Sequence, residues 1–162
     1  MTRLVLIAHN IRSTHNIGSI FRSAECFGVE KIILTGYSPY PIIDNDPRLP
    51  HLADKIHQQI HKTALGTENI VSFEYAELPP LDALKNNGYT IAALEQHDNS
   101  KRIREYNPPG KIALLLGEER YGITPDMLEH CDTILEIPMT GTKESLNVSV
   151  ATGIALYELL GR

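Results

Sequence analysis

Short apolar runs without regular polar alternation recur along the chain: Leu4-Val5-Leu6-Ile7-Ala8, Lys31-Ile32-Ile33-Leu34-Thr35, Asn69-Ile70-Val71-Ser72-Phe73, Thr90-Ile91-Ala92-Ala93-Leu94, Lys111-Ile112-Ala113-Leu114-Leu115-Leu116 and Thr133-Ile134-Leu135-Glu136-Ile137. A strand covered on both faces looks like this, because it has no solvent side to fill with polar residues. Six strands are predicted. Between the first two, Ile17, Ile20, Phe21, Ala24 and Phe27 fall at helical spacing, and Gly28 follows as a stop. Further helices are predicted over 52–63, 81–86, 125–130 and 146–160, with Thr124-Pro125 placed as a cap and a first-turn proline. Strand and helix thus alternate, the signature of an α/β domain whose mostly parallel sheet carries helices on both faces. In such folds ligand sites gather beyond the carboxyl ends of the strands.

Length and charge narrow this picture. At 162 residues the chain fits one domain spanning 1–162, and the Pro-rich stretch 39–50 reads as a surface loop rather than a linker. No apolar run approaches the roughly 20 residues that span a bilayer, and no leader-like segment precedes the first strand, so a cytoplasmic protein without a membrane partner is expected. Cys26 and Cys131 are isolated and read as reduced thiols. The net charge of −5 opposes indiscriminate nucleic-acid binding. A local basic patch would need Arg3, Arg12 and Arg22 to meet Lys101, Arg102 and Arg104 in the fold.

Three polar segments follow predicted strands. In Asn10-Ile11-Arg12-Ser13-Thr14-His15-Asn16-Ile17-Gly18, a helix start offers free N–H groups to an anion, and Arg22 lies one turn beyond Gly18. The same residues also suit a plain helix entry, with Asn16 as cap, Gly18 for packing and Arg22 solvated. In Leu116-Gly117-Glu118-Glu119-Arg120-Tyr121-Gly122, two glycines allow close backbone approach to a ligand and a carboxylate between them can order the loop; a simple strand-to-helix turn fits equally. In Ser145-Leu146-Asn147-Val148-Ser149-Val150-Ala151, Ser145 suits a helix cap and Asn147 can bond across to other loops.

Other chemistries find no pattern. The chain lacks GxGxxG, GxxxxGK[ST] and GxSxG, which disfavours dinucleotide, P-loop and serine-hydrolase readings. His57-Gln58-Gln59-Ile60-His61 has no carboxylate in the base position of HExxH, and with His51 these histidines read as surface or subunit-contact residues, not metal ligands.

Taken in order, Asn16-x-Gly18-x-x-x-Arg22-x-Ala24-x-x-Phe27-Gly28, Gly117-x-Glu119-x-x-Gly122 and Ser145-Leu146-Asn147-Val148-Ser149 resemble the three motifs of the SpoU (TrmH) family of RNA 2'-O-ribose methyltransferases, within the SPOUT superfamily. The resemblance spans nearly the whole chain. It implies a carboxyl-terminal trefoil knot, S-adenosyl-L-methionine (SAM) as methyl donor, no metal, a homodimer, and an RNA substrate. It also implies that Leu94, Gly117, Ile137, Met139 and Leu146 hold SAM largely through backbone groups, and that Arg22, Asn16, Glu119, Ser145 and Asn147 form the catalytic site. Arg22 is the residue the family assigns to deprotonating the ribose hydroxyl. An arginine is ordinarily a permanent cation, so anchoring a phosphate or stabilising the developing oxyanion is the easier role. Larger relatives carry an amino-terminal RNA-binding domain that is not expected here, and this, with the negative charge, slightly favours tRNA over rRNA. The rival readings are a SPOUT enzyme acting on a base, or a non-catalytic RNA- or SAM-binding module.

Overall fold

Because β1 (Arg3–His9) lies inside the sheet, its side chains bury alternately to two faces: Leu4, Leu6 and Ala8 to one, Val5 and Ile7 to the other. The computed structural model describes residues 2–161. After β1 come α1 (Thr14–Cys26), β2 (Lys31–Thr35), α2 (Pro50–Ala64), β3 (Phe73–Ala76), α3 (Leu81–Asn86), β4 (Thr90–Leu94), β5 (Lys101–Arg102), β6 (Lys111–Leu116), α4 (Pro125–Glu129), β7 (Thr133–Glu136) and α5 (Val148–Leu160). The strands form one sheet in the order β3-β2-β1-β6-β4-β7-β5, and every pairing is parallel. Buried residues of α1, α2 and α5 pack on one face; Leu81 and Leu84 of α3 and Met127 and Leu128 of α4 pack on the other. The α/β layering matches the sequence expectation.

The sheet has seven strands, not six. The additional strand, β5, is two exposed charged residues paired to β7, which no hydrophobic pattern reveals. The expected strand over 69–73 is displaced. Thr67–Asn69 forms a 3-10 turn and β3 begins at Phe73. The buried carboxylate of Glu68 accepts the Gly66 N–H and meets His61 Nδ1, winding the chain at that point, and Ile70 is left 69% exposed. Fully aligned pairing with β2 then starts at Ile32 opposite Phe73.

Arg3 does not meet Lys101 and Arg102. Arg3 opens β1 and pairs with Glu30, at the opposite strand end from Arg12, while Lys101 and Arg102 lie on the far edge strand. Four strand spacings separate β5 from β1, about 19 Å. The histidines are engaged locally, with the His57 Nδ1 accepting the Ile42 N–H and His61 bonding Glu68. No group of three or more candidate metal ligands occurs among the described residues. No helix among them is long and apolar enough to cross a membrane.

The crossing of α1 over α2 depends on Gly18. A Cβ at that position would collide with Thr63 Oγ1 and the Ile60 carbonyl, so the two backbones approach to where only hydrogen fits. Gly18→Val is therefore expected to lower unfolding free energy by about 1–3 kcal/mol. Urea denaturation followed by circular dichroism measures it; an unchanged midpoint would contradict the close crossing.

Candidate active site

The loops that follow β1, β6 and β7 meet at the carboxyl end of the sheet, where a parallel α/β fold concentrates its unpaired backbone groups. Ser13 caps α1, its hydroxyl accepting the Asn16 N–H, so Asn16 is free of the capping role and its side chain turns outward along the loop. Glu119, from the loop after β6, reaches across to the β1–α1 loop. One carboxylate oxygen accepts the Arg12 N–H at 3.1 Å; the other accepts the Ser13 N–H at 3.2 Å and the Asn16 Nδ2–H at 3.1 Å. The Asn16 Oδ1 in turn accepts from Asn147 Nδ2 at 3.1 Å. The Asn147 Oδ1 caps α5 by accepting the N–H of Ser149 and of Val150 and the Ser149 hydroxyl. The cap of α5 is thus Asn147, not Ser145: its shorter reach to the first free N–H groups leaves Ser145 exposed on the rim.

Glu119 is half-buried, and desolvation alone would raise its pKa. Hydrogen bonds from Arg12, Asn16 and Ser13, with one from its own backbone, outweigh that and hold it below the ordinary carboxylate value. It is therefore a structural anion, ionised at neutral pH, and not a proton donor.

Beside this chain of bonds lies a cavity of about 310 Å³. Leu94, Gly117, Ile137, Met139, Leu146, Glu119 and Ser145 all line it. Asn16, Asn147 and Arg22 do not. Arg22 projects from α1, exposed and without a hydrogen-bond or ion-pair partner among the described residues. The structure thus joins Asn16, Glu119 and Asn147 directly and, among the described residues, gives Arg22 no bond to them within one chain.

The cavity loop is shaped by carboxylates that sequence reasoning passed over. Glu95, immediately after β4, accepts the Ile123 N–H through Oε2, and Glu118 Oε2 accepts the N–H groups of Arg120 and Tyr121. Gly122 has φ +68°, and a Cβ there would collide with Glu95; a Cβ on Gly117 would come within 2.5 Å of the Gly122 carbonyl carbon. The signal for Glu95 was its place directly after a parallel strand. Among the described residues, Glu95, Glu118, Glu119, Glu136 and Glu144 line the cavity against one cation, Arg120, over an apolar floor including Leu94, Leu116 and Ile137. Such a lining suits an elongated ligand with an apolar part and a positive charge. What its fixed carboxylates and apolar floor offer a ligand is positioning and electrostatics.

Comparison with known proteins gives a consistent result. Residues 3–157 match the model of the SpoU rRNA Methylase family. The chain is 30% identical over 167 residues to the 23S rRNA (guanosine-2'-O-)-methyltransferase RlmB of Haemophilus influenzae, covering 97% of this chain and 59% of that protein. It is 28% identical to the mouse tRNA (guanosine(18)-2'-O)-methyltransferase TARBP1, over 98% of this chain and 9% of that much longer protein. The chain therefore spans little more than half of one curated relative and a small part of the other. Among solved structures, the A. aeolicus TrmH/SpoU tRNA modifying enzyme superposes with a TM-score of 0.76 at 30% identity, over 98% of this chain and 74% of that one. The AdoMet-bound rRNA methyltransferase from Sinorhizobium meliloti shares the fold, with a TM-score of 0.80 at 22% identity over 96% of this chain and 55% of that one.

The depressed pKa of Glu119 sets a pH dependence. A carboxylate whose folded pKa lies below its unfolded value contributes stability above the unfolded value and loses it as pH falls through the folded one. The Arg12 and Ser13 amide resonances should accordingly shift together on acidification, with a midpoint below that of an ordinary glutamate. A midpoint at or above the ordinary value would contradict the hydrogen-bond chain.

Proposed function

The chain belongs to the SpoU rRNA methylase family, and from that membership we propose that it transfers a methyl group from SAM to a ribose 2'-OH of RNA. The observation that carries the proposal is the Glu119–Asn16–Asn147 chain of hydrogen bonds, which draws three loops distant in sequence to the rim of one acidic cavity. In support, relatives over almost the full length of this chain are named as RNA 2'-O-methyltransferases.

The cavity fits the donor. SAM carries a sulfonium and an ammonium beside one carboxylate, a net positive charge that an acidic lining favours, and its adenine and methylene groups match the apolar floor. Leu94, Gly117, Ile137, Met139 and Leu146 are assigned to hold it through backbone groups; the missing side chain of Gly117 leaves that backbone open. When bound, SAM supplies a methyl group on an already activated sulfonium. The protein's task is then to place a hydroxyl in line and keep its loops rigid. Asn16, Glu119 and Asn147 do the latter, with Ser145 on the rim beside the incoming ribose. Arg22 anchors the target nucleotide's phosphate or stabilises the developing oxyanion.

Arg22 stands apart in one chain, and a homodimer resolves this. On α5, Val150, Ile154 and Tyr157 are exposed at helical spacing while Thr152, Ala155, Leu156 and Leu159 are buried, so this helix is apolar on its uncovered side too. It packs beside α1, where Ser23 stands 3.8 Å from the place of a Cβ on Gly153. The uncovered stripe therefore adjoins the helix that bears Arg22, and pairing two copies there would carry each Arg22 toward its partner's cavity. The finer topology belongs to the same proposal: one SPOUT domain over 1–162, knotted in its carboxyl-terminal part, acting in the cytoplasm. Insertion of β6 and β7 on opposite sides of β4 supports the knot. Relatives act on tRNA and on rRNA; the net charge of −5 favours tRNA slightly.

Incubation with methyl-labelled SAM and separate tRNA and rRNA pools should yield 2'-O-methylnucleosides from one pool. Arg22→Lys should cut turnover at least a hundredfold with SAM affinity nearly unchanged, because the planar fork is lost and the cofactor walls are not. Labelling of neither pool despite SAM binding would favour a binding module. Ile154→Asp is expected to give a monomer by gel filtration that still binds SAM and has lost methyl transfer; an active monomer would sink the shared site.

A further inference from the structure

Residues 35–38, the turn after β2, are held more firmly than their position at the surface requires. The Gly36 N–H donates to the Glu77 carbonyl and the Gly36 carbonyl accepts from the Tyr75 hydroxyl. The Ser38 hydroxyl donates to the Ala8 carbonyl and accepts the Ile11 N–H. Between them, the Tyr37 N–H donates to Asn10 Oδ1 at 3.1 Å. Asn10 is itself fixed: it has φ +56°, its N–H donates to the Thr35 carbonyl, and its Nδ2 lies 3.1 Å from His9 Nε2, whose ring bonds Thr35 Oγ1. Gly36 has φ +65°, and a Cβ there would collide with Asn10 Oδ1. The backbone of Tyr37 therefore has one position, while its side chain is 58% exposed.

That ring stands beside the candidate site. The Tyr37 N–H is bonded to Asn10, and two and three residues on the Arg12 and Ser13 N–H groups are bonded to Glu119, so the turn and the cavity rim share the β1–α1 loop; burial, then the charge of Glu118, push the phenol's pKa up. Glu119 marks the boundary: it lines the cavity on one side and holds the Arg12 N–H on the other. In the sheet, β2 is two strands from β6, a span of about 10 Å. A base attached to a ribose held at the cavity rim reaches outward over that order of distance.

The carboxylates of the cavity weaken phosphate attraction at this end of the molecule, whereas stacking on an aromatic face works for any base and does not depend on charge. A ring whose backbone is already fixed gives up only side-chain freedom when a base lies on it. We propose that Tyr37 is a stacking platform for a nucleobase of the RNA substrate at or next to the target nucleotide, with Arg12 beside it facing the adjoining phosphate. This role rests on the methyltransferase reading and adds a substrate-positioning residue outside the three motifs.

The chain contains no tryptophan, so Tyr37→Trp creates a protein with a single indole. Titrating it with bulk tRNA and with bulk rRNA should quench the indole with the pool that is methylated. Tyr37→Ala should raise KM for that RNA about five- to hundredfold, with kcat and SAM affinity little changed. Tyr37→Phe should restore the KM, since stacking needs the ring and not the hydroxyl. An indole indifferent to saturating RNA, an unchanged KM in Tyr37→Ala, or a Phe variant as impaired as Ala would each overturn the role. Wild-type protein that methylates neither pool is a separate result: it removes the parent reading, and this one with it.

Discussion

A carboxylate without a countercharge holds the functional end of this molecule together. Among the described residues Glu119 has no cation paired to it; amide N–H groups from the β1–α1 loop and from Asn16 solvate it instead. Hydrogen bonds to an ionised acceptor are stronger than neutral ones, and here they join segments more than a hundred residues apart. Asn16 then passes the connection to Asn147, whose other oxygen starts α5. Helix α5 both closes the core through Leu156 and Leu159 and carries the exposed stripe assigned to pairing. The position of the loops and the start of the helix both follow from where one anion is solvated.

The electrostatics of the cavity are organised by the same logic. Glu95 and Glu118 are occupied with backbone N–H groups of the loop they enclose, so part of the negative lining is structural. Their charge still acts on anything bound inside. For the proposed SAM site, fixed negative charge that does not have to reorganise favours a cationic donor over its uncharged-sulfur product.

Much of this was legible in the sequence. The strands β1, β2, β4 and β6 announce themselves because burial on both faces leaves little room for polar residues, and α1 because its apolar stripe is regular. The cavity residues Leu94, Gly117, Ile137, Met139 and Leu146 come from the family resemblance; their spacing alone reads as core. What the sequence could not show depends on long-range contacts. β5 exists only because β7 offers it an edge, β3 is displaced by the buried Glu68, and Asn147, the cap of α5, is tied by its other side-chain atom to Asn16 far away in sequence. Tyr37 gives no signal at all in one dimension, since its constraint comes from Asn10, Gly36 and Ser38 acting together.

The strand order has a consequence for how the chain acquires its shape. β1 precedes the other strands of this sheet in the chain, and its register with β2 needs only Val5 to meet Lys31, but its other side waits for Arg3 to meet Lys111. During synthesis, the amino-terminal half can form β1, β2 and the crossed pair α1 and α2 while one edge of β1 stays open. β4 cannot take its final place until β6 has arrived between it and β1. Contacts that close so late in sequence slow folding and leave an apolar edge uncovered meanwhile, so the nascent protein is most vulnerable to mispairing just before residues 111–116 emerge.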